Sequence, residues 1–136
     1  MIGIDRQIEA MKTLWPMFRV SRVSRPANSA RWNGKLAPQF SSYEIEILSE
    51  HGYPSVRILS PKLIVQPDNE EGLLPHIYGG PEDFRLCLFD PETDEWSSDK
   101  LIAETIVPFT IDWLCCYEFW TLTGEWRGGG RHLCAN

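Results

Sequence analysis

Residues 31–59 read RWNGKLAPQFSSYEIEILSEHGYPSVRIL, and their periodicity decides the architecture. Tyr43, Ile45 and Ile47 alternate with Glu44 and Glu46, the period of two expected of a strand with one buried face. His51-Gly52-Tyr53-Pro54 marks a turn, and Ser55–Leu59 reads as the next short strand. Arg31–Leu36 forms a strand before them, with a turn or a bulge expected at Asn33-Gly34. The three segments predict an antiparallel meander with one polar face.

Outward from the meander the pattern changes twice. Across residues 3–15, Ile4, Ile8, Met11 and Trp15 recur at the spacing of an amphipathic helix, which Pro16 closes. On the other side, LIAETIV (101–107) reads as a short helical turn. Pro108 then suits the first position of a longer helix through Phe119. That helix is apolar on most faces, through Phe109, Ile111, Trp113, Leu114, Cys116, Tyr117 and Trp120, and Gly124 offers its C-terminal stop. Cys115 and Cys116 read as small buried hydrophobes within it. Helix, meander, long loop and helices make an α+β layout with helices on one side of a sheet.

Composition narrows the function classes. The chain has 136 residues, 43% hydrophobic and 12% aromatic with six Trp, enough for one packed domain. The net charge of −6 gives no support to polyanion binding, so a nucleic-acid role is not expected. Arg19, Arg22, Arg25, Arg31 and Lys35 cluster early, and read as a solvated strand face. The start MIGIDRQIEAMK has no signal-peptide core, and no run reaches membrane-spanning length. A cytoplasmic protein with free thiols is therefore expected. Adjacent Cys115 and Cys116 lack the spacing of zinc ligands, and no metal or other cofactor is expected.

Chemistry concentrates in residues 60–99. Pro61, Pro67, Pro75, Pro81 and Pro91, with Gly72, Gly79 and Gly80, predict a long ordered loop, and loops of that length in compact domains tend to carry function. Within it, LPHIYGGPEDFRLCLFD (74–90) places Cys87 eleven positions after His76 and nine before Trp96. Cysteine needs less activation than any other side chain to form an acyl intermediate. Leu86, Leu88 and Phe89 surround it with apolar neighbours expected to shield the thiol from oxidation, which suits an acyl carrier better than a redox sensor. His76 is the candidate donor to the oxyanion, or an orienting residue. Asp83, Asp90, Asp94 and Glu95 are candidate carboxylates for an incoming lysine. Trp96 reads as a structural lid, Tyr78 as packing, and Cys134 as an exposed thiol near the C-terminus.

The ordered set of WNGKL, SYEIEI, a YP turn, SVRIL, Pro75-His76-Ile77, Leu86-Cys87-Leu88-Phe89 and Trp96-Ser97 before a closing helix resembles the ubiquitin-conjugating (UBC-like) fold. The likeness covers roughly residues 3–122 of a single domain spanning 1–136, with 123–136 as a Gly-rich tail. LPHIYGG, LCLFDP, TIVPF, DWLCCYEFW and TGEWRGGG look closest to the stand-alone UBC-like proteins of CBASS antiphage operons. The resemblance implies Cys87 as nucleophile and His76 in place of the family's oxyanion-binding Asn, with a longer spacing between the two. It also implies a partner, a cGAS/DncV-like (CD-NTase) nucleotidyltransferase whose C-terminal tail would be the acyl group. Two readings follow. One is a transferase that forms a thioester; the other is a non-catalytic scaffold that docks the nucleotidyltransferase, through a Cys87 disulfide for instance. The presence of the cysteine favours the first, and the lack of an activating domain in this chain favours the second.

Overall fold

Helix α1 spans Ile4–Leu14 and buries Ile4, Gln7 and Met11, in a computed structural model that describes residues 1–64, 74–80 and 83–126. Trp15 follows the last turn, and its indole N–H donates to the Ala103 carbonyl at 2.8 Å. Gly3 has no side chain to cap the first turn, so Asn28 reaches across and accepts from the Ile4 N–H at 2.7 Å. That bond satisfies one of the donors a helix start leaves open. Gln7, buried on the helix's inner face, accepts from the Ile102 N–H at 2.9 Å and so ties α1 to the approach to the final helix.

Four strands follow, β1 (Arg19–Ser24), β2 (Ser29–Leu36), β3 (Tyr43–Glu50) and β4 (Tyr53–Ser60), antiparallel and in chain order across one sheet. β1 is an edge strand whose Arg19 and Arg22 are exposed, as a solvated strand face requires. Its register slips between Ser21 and Ser24, with Arg22 at φ 51, the kind of bulge that blunts a sheet edge. β3 and β4 are joined through His51 (φ 52) and Gly52 (φ 81), the left-handed pair that a tight two-residue hairpin demands. Pro54 sits in β4, the opposite edge, where a missing N–H is tolerated.

Two details differ from the sequence reading. Asn33-Gly34 is neither turn nor bulge, because β2 runs through it with Gly34 paired to Ile45 in unbroken register. The glycine serves packing: a Cβ there would lie 2.6 Å from Cγ of the buried Phe18 ring. Gly34→Ala is expected to cost about 1–3 kcal/mol by overpacking, measured as a lower denaturant midpoint with an unchanged slope. The second difference is Glu46, which is buried although it lies on the polar side of the β3 alternation. Arg57 on β4 pairs with its carboxylate at 2.9 Å and Arg31 on β2 at 3.7 Å, so two neighbouring strands neutralise it.

A 3₁₀ turn at Ile102–Glu104 leads into helix α2, Ile106–Thr123. Pro108 is its third residue rather than its first, still within the turn whose N–H groups lack helical partners. The helix continues four residues beyond Phe119 and ends at Gly124 (φ 81), whose N–H donates to the Trp120 carbonyl at 2.8 Å. Trp32, Ile45, Ile47 and Val56 of the sheet form one core with Ile106, Val107, Trp113, Leu114 and Trp120. Cys115 and Cys116 are only partly buried, a correction to their reading as core residues. The architecture is α+β, an N-terminal helix, a four-stranded antiparallel sheet and a C-terminal helix. No helix among the described residues is long and apolar enough to cross a membrane.

Candidate active site

The stretch expected to be loop contains a regular element. β5 (Ile77–Tyr78) and β6 (Arg85–Leu86) pair antiparallel, Ile77 opposite Leu86 and Tyr78 opposite Arg85. The ladder extends one step further, where the Cys87 N–H donates to the His76 carbonyl at 3.0 Å. Two residues eleven apart in sequence thus face each other. The same carbonyl accepts from the Trp113 indole N–H of α2 at 2.9 Å, so both its lone pairs are engaged. To present it, His76 adopts φ 57, an uncommon conformation for a residue with a side chain. Strain of this kind costs about 1–3 kcal/mol and persists where surrounding contacts fix it. Here they include the imidazole against the Trp126 ring, centroids 5.0 Å apart, and Trp126 edge-on to Trp113 at 5.1 Å.

Cys87 is fully buried, and its sulfur is in a disulfide. The expectation of free thiols holds at Cys115 and Cys116 and fails at Cys87; apolar neighbours have not kept this sulfur reduced. Cys134, most of the Gly-rich tail, Val65 to Leu73 and Pro81 lie outside the described residues. The Tyr78 hydroxyl lies 3.4 Å from Cys87 Sγ. That proximity follows from strand geometry, since the residue two beyond a cross-strand partner projects to the same face and sits diagonally across. The sequence reads Tyr78 as packing; its approach to the sulfur depends on a register that local sequence does not reveal.

The acidic candidates separate by their partners. Asp83 is held by Arg57 at 3.0 Å and Arg85 at 3.3 Å. Slight burial pulls its carboxyl upward, but hydrogen bonds from these two arginines outweigh it and hold the pKa below the ordinary value. With Arg85 also donating to Ser55 at 2.9 Å, the group fastens the β5–β6 hairpin to β4. Glu95 accepts from the Asp90 N–H at 2.9 Å and Asp90 from the Glu92 N–H at 2.9 Å, which folds 90–95 into a turn. Asp94 offers its backbone carbonyl to Lys100 at 3.4 Å. Trp96 closes the turn as the expected lid: it stacks on Phe89 with centroids 5.4 Å apart and donates to Thr105 Oγ1 at 2.9 Å.

A hollow of about 530 Å³ lies elsewhere, lined by Phe40, Tyr43, Ile64, Tyr117, Glu118 and Leu122 among others, without Cys87 or His76. Its one buried carboxylate, Glu118, already accepts from the Tyr43 hydroxyl at 2.9 Å and from the Phe40 and Ser41 N–H groups at 3.3 and 3.0 Å. These bonds latch the β2–β3 connection onto α2. Burial, followed by the hydrogen bond to Glu118, pushes the Tyr43 phenol well above its ordinary value. Above about pH 10 the unfolded chain releases this proton while the folded one retains it, so stability is full below that pH and lost as pH rises. Tyr43→Phe is expected to flatten the alkaline fall in unfolding temperature; an unchanged slope would remove Tyr43 from the account.

A fastened hairpin, a strained histidine carbonyl and a cysteine at their junction, followed by a Trp-closed turn and a helix, define an α+β protein with a cysteine-centred loop. The profile of Type II CBASS E2 proteins matches residues 7–133, and the chain belongs to that family. The family gives it an E2-like role in CBASS, an antiviral defence system. No curated protein matches the chain closely enough for comparison.

Proposed function

We propose that the protein is a UBC-like acyl transferase that carries the C-terminus of a cGAS/DncV-like nucleotidyltransferase as a thioester on Cys87. The observation that supports this most is the pairing of Cys87 N–H with the His76 carbonyl, which sets a sulfur nucleophile in a hairpin anchored on both sides. Membership of the E2 family agrees with it.

The disulfide makes the first step a reduction. A thiol reductant attacks the bridge, is itself oxidised to a disulfide, and leaves Cys87 as a thiol. The Cys87 thiolate then attacks an activated carbonyl carbon; the C–S bond forms, the π electrons move to oxygen, and their return expels the activating group. An amine next attacks the thioester carbon, the C–N bond forms, and Cys87 leaves as thiolate while the amine proton passes to a base. Either another protein activates the carboxylate, or the acyl group arrives already as a thioester and passes to Cys87 by thiol exchange, the donor's sulfur leaving as thiolate. His76 orients the site through its carbonyl, which accepts from the Cys87 N–H, while its imidazole lies against Trp126.

The second reading is a non-catalytic scaffold that binds and regulates the nucleotidyltransferase. The disulfide at Cys87 gives it one covalent means, since a partner thiolate attacking Cys87 Sγ forms a mixed disulfide as the other sulfur of the bridge leaves as thiolate. Intact mass spectrometry of the protein co-expressed with its nucleotidyltransferase separates the two. An adduct that survives mild reductant and is cleaved by hydroxylamine supports the transferase. Loss to reductant alone supports the mixed disulfide, and a complex without an adduct sinks the transferase and favours the non-catalytic scaffold.

A further inference from the structure

We propose that the Tyr78 hydroxyl is the hydrogen-bond donor of the Cys87 site, holding the thiolate first and then the oxyanion of the acyl intermediate. The inference rests on the transferase reading and names a catalytic residue within it.

Geometry carries it. The phenolic oxygen is 3.4 Å from Sγ, within hydrogen-bonding range for sulfur. An acyl oxygen on Cys87 is two bonds from Sγ, so it forms inside the reach of the same O–H. Tyr78 is 44% exposed while Cys87 is fully buried, so this residue reaches from the surface to the sulfur. Its backbone is paired to Arg85 in the hairpin, and Arg85 is held by Asp83 and Ser55; the donor is therefore positioned before substrate arrives, as electrostatic stabilisation of an oxyanion requires. The His76 imidazole, by contrast, lies against Trp126, and what His76 gives Cys87 is its carbonyl.

Protonation suits the role. Burial raises the Tyr78 phenol above its ordinary value, and the neighbouring Tyr53 and Asp90 push the same way. The hydroxyl keeps its proton at neutral pH, and unlike an imidazole it has no second tautomer in which the donor is lost.

The test uses the full chain, reduced, with N-acetylglycine thioester of mercaptoethanesulfonate as donor. Sulfur of Cys87 replaces the donor's sulfur, and mercaptoethanesulfonate leaves as thiolate. Tyr78→Phe, which removes only the hydroxyl, is expected to slow acyl transfer to Cys87 about 100-fold. It is also expected to move the pH profile of Cys87 alkylation, read by peptide mass, to higher pH. A 3-fluorotyrosine at position 78, equal in shape and a stronger donor, is expected to move the profile the other way, and keeps the test open should the Phe variant fold poorly. Wild-type transfer and an unmoved profile in both variants would overturn the proposal and leave Tyr78 as packing. Should wild-type protein take no acyl group at all, the transferase reading fails by itself. The alkylation profile then decides Tyr78 alone: displacement upholds its bond to the sulfur, and no displacement overturns it.

Discussion

Cys87→Ala is expected to remove every covalent adduct between this protein and the nucleotidyltransferase, leaving the rate at background. In the proposed mechanism Cys87 has no substitute, because only its sulfur forms the bond that is later broken. The expectation needs a control, because Cys87 is buried and disulfide-bonded, and losing a disulfide typically costs about 2–4 kcal/mol on its own. Reduced wild-type protein supplies that control: it lacks the bridge and keeps the thiol. If reduced wild-type protein forms the adduct and the alanine variant, still folded by circular dichroism, does not, the loss belongs to the nucleophile. Cys115→Ala and Cys116→Ala are expected to keep the adduct and to cost about 1 kcal/mol or less, since both side chains are only partly buried. An adduct that survives Cys87→Ala would move the chemistry to another residue and undo the site.

Reduced protein matters for a further reason. The cysteine is legible in the sequence as a candidate nucleophile from its loop, but its oxidation state is not. Apolar neighbours exclude water, yet a disulfide depends on which second sulfur the fold brings near, and that is long-range geometry. The same division runs through the fold. Tyr43, Ile45 and Ile47 announce a half-buried strand because burial repeats every second residue. Glu46 breaks that rule, since Arg31 and Arg57 reach it from strands on either side and make its burial tolerable. Gly34 misleads for a related reason. Glycine in a short strand invites a turn, and only the ring of Phe18, brought over by the entry to β1, shows why it is there. The hairpin β5–β6 escapes altogether: two-residue strands are too short to show a period, and the prolines around them point to loop. What stays hidden is thus what depends on a distant partner, and the His76 carbonyl at the Cys87 N–H and the Tyr78 hydroxyl at its sulfur both belong to that group.

Trp113 is where the core and the site become one energetic unit, and its substitutions carry the second large effect. The side chain is fully buried, stacked on Tyr117 with centroids 5.5 Å apart, and edge-on to Trp126. Its N–H ends on the His76 carbonyl at 2.9 Å. Trp113→Ala is expected to cost about 3–5 kcal/mol from lost burial and the cavity left behind, a large part of the roughly 5–15 kcal/mol that holds a domain folded. Trp113→Phe separates the two duties. It keeps most of the aromatic volume and removes the N–H, leaving the His76 carbonyl with Cys87 N–H as the donor identified above. The loss of one hydrogen bond predicts about 0.5–1.5 kcal/mol of destabilisation. The strained φ of His76 then has one restraint fewer, so thioester formation is expected to slow by more than the stability loss accounts for. Denaturant midpoints and single-turnover adduct rates, measured on the same preparations, test this directly. A Phe variant that loses stability but transfers at the wild-type rate would mean that the indole N–H holds the core and not the catalytic loop. A variant that loses rate while staying nearly as stable would place the seat of the nucleophile on α2, eighteen residues of helix whose first task is to fill the core.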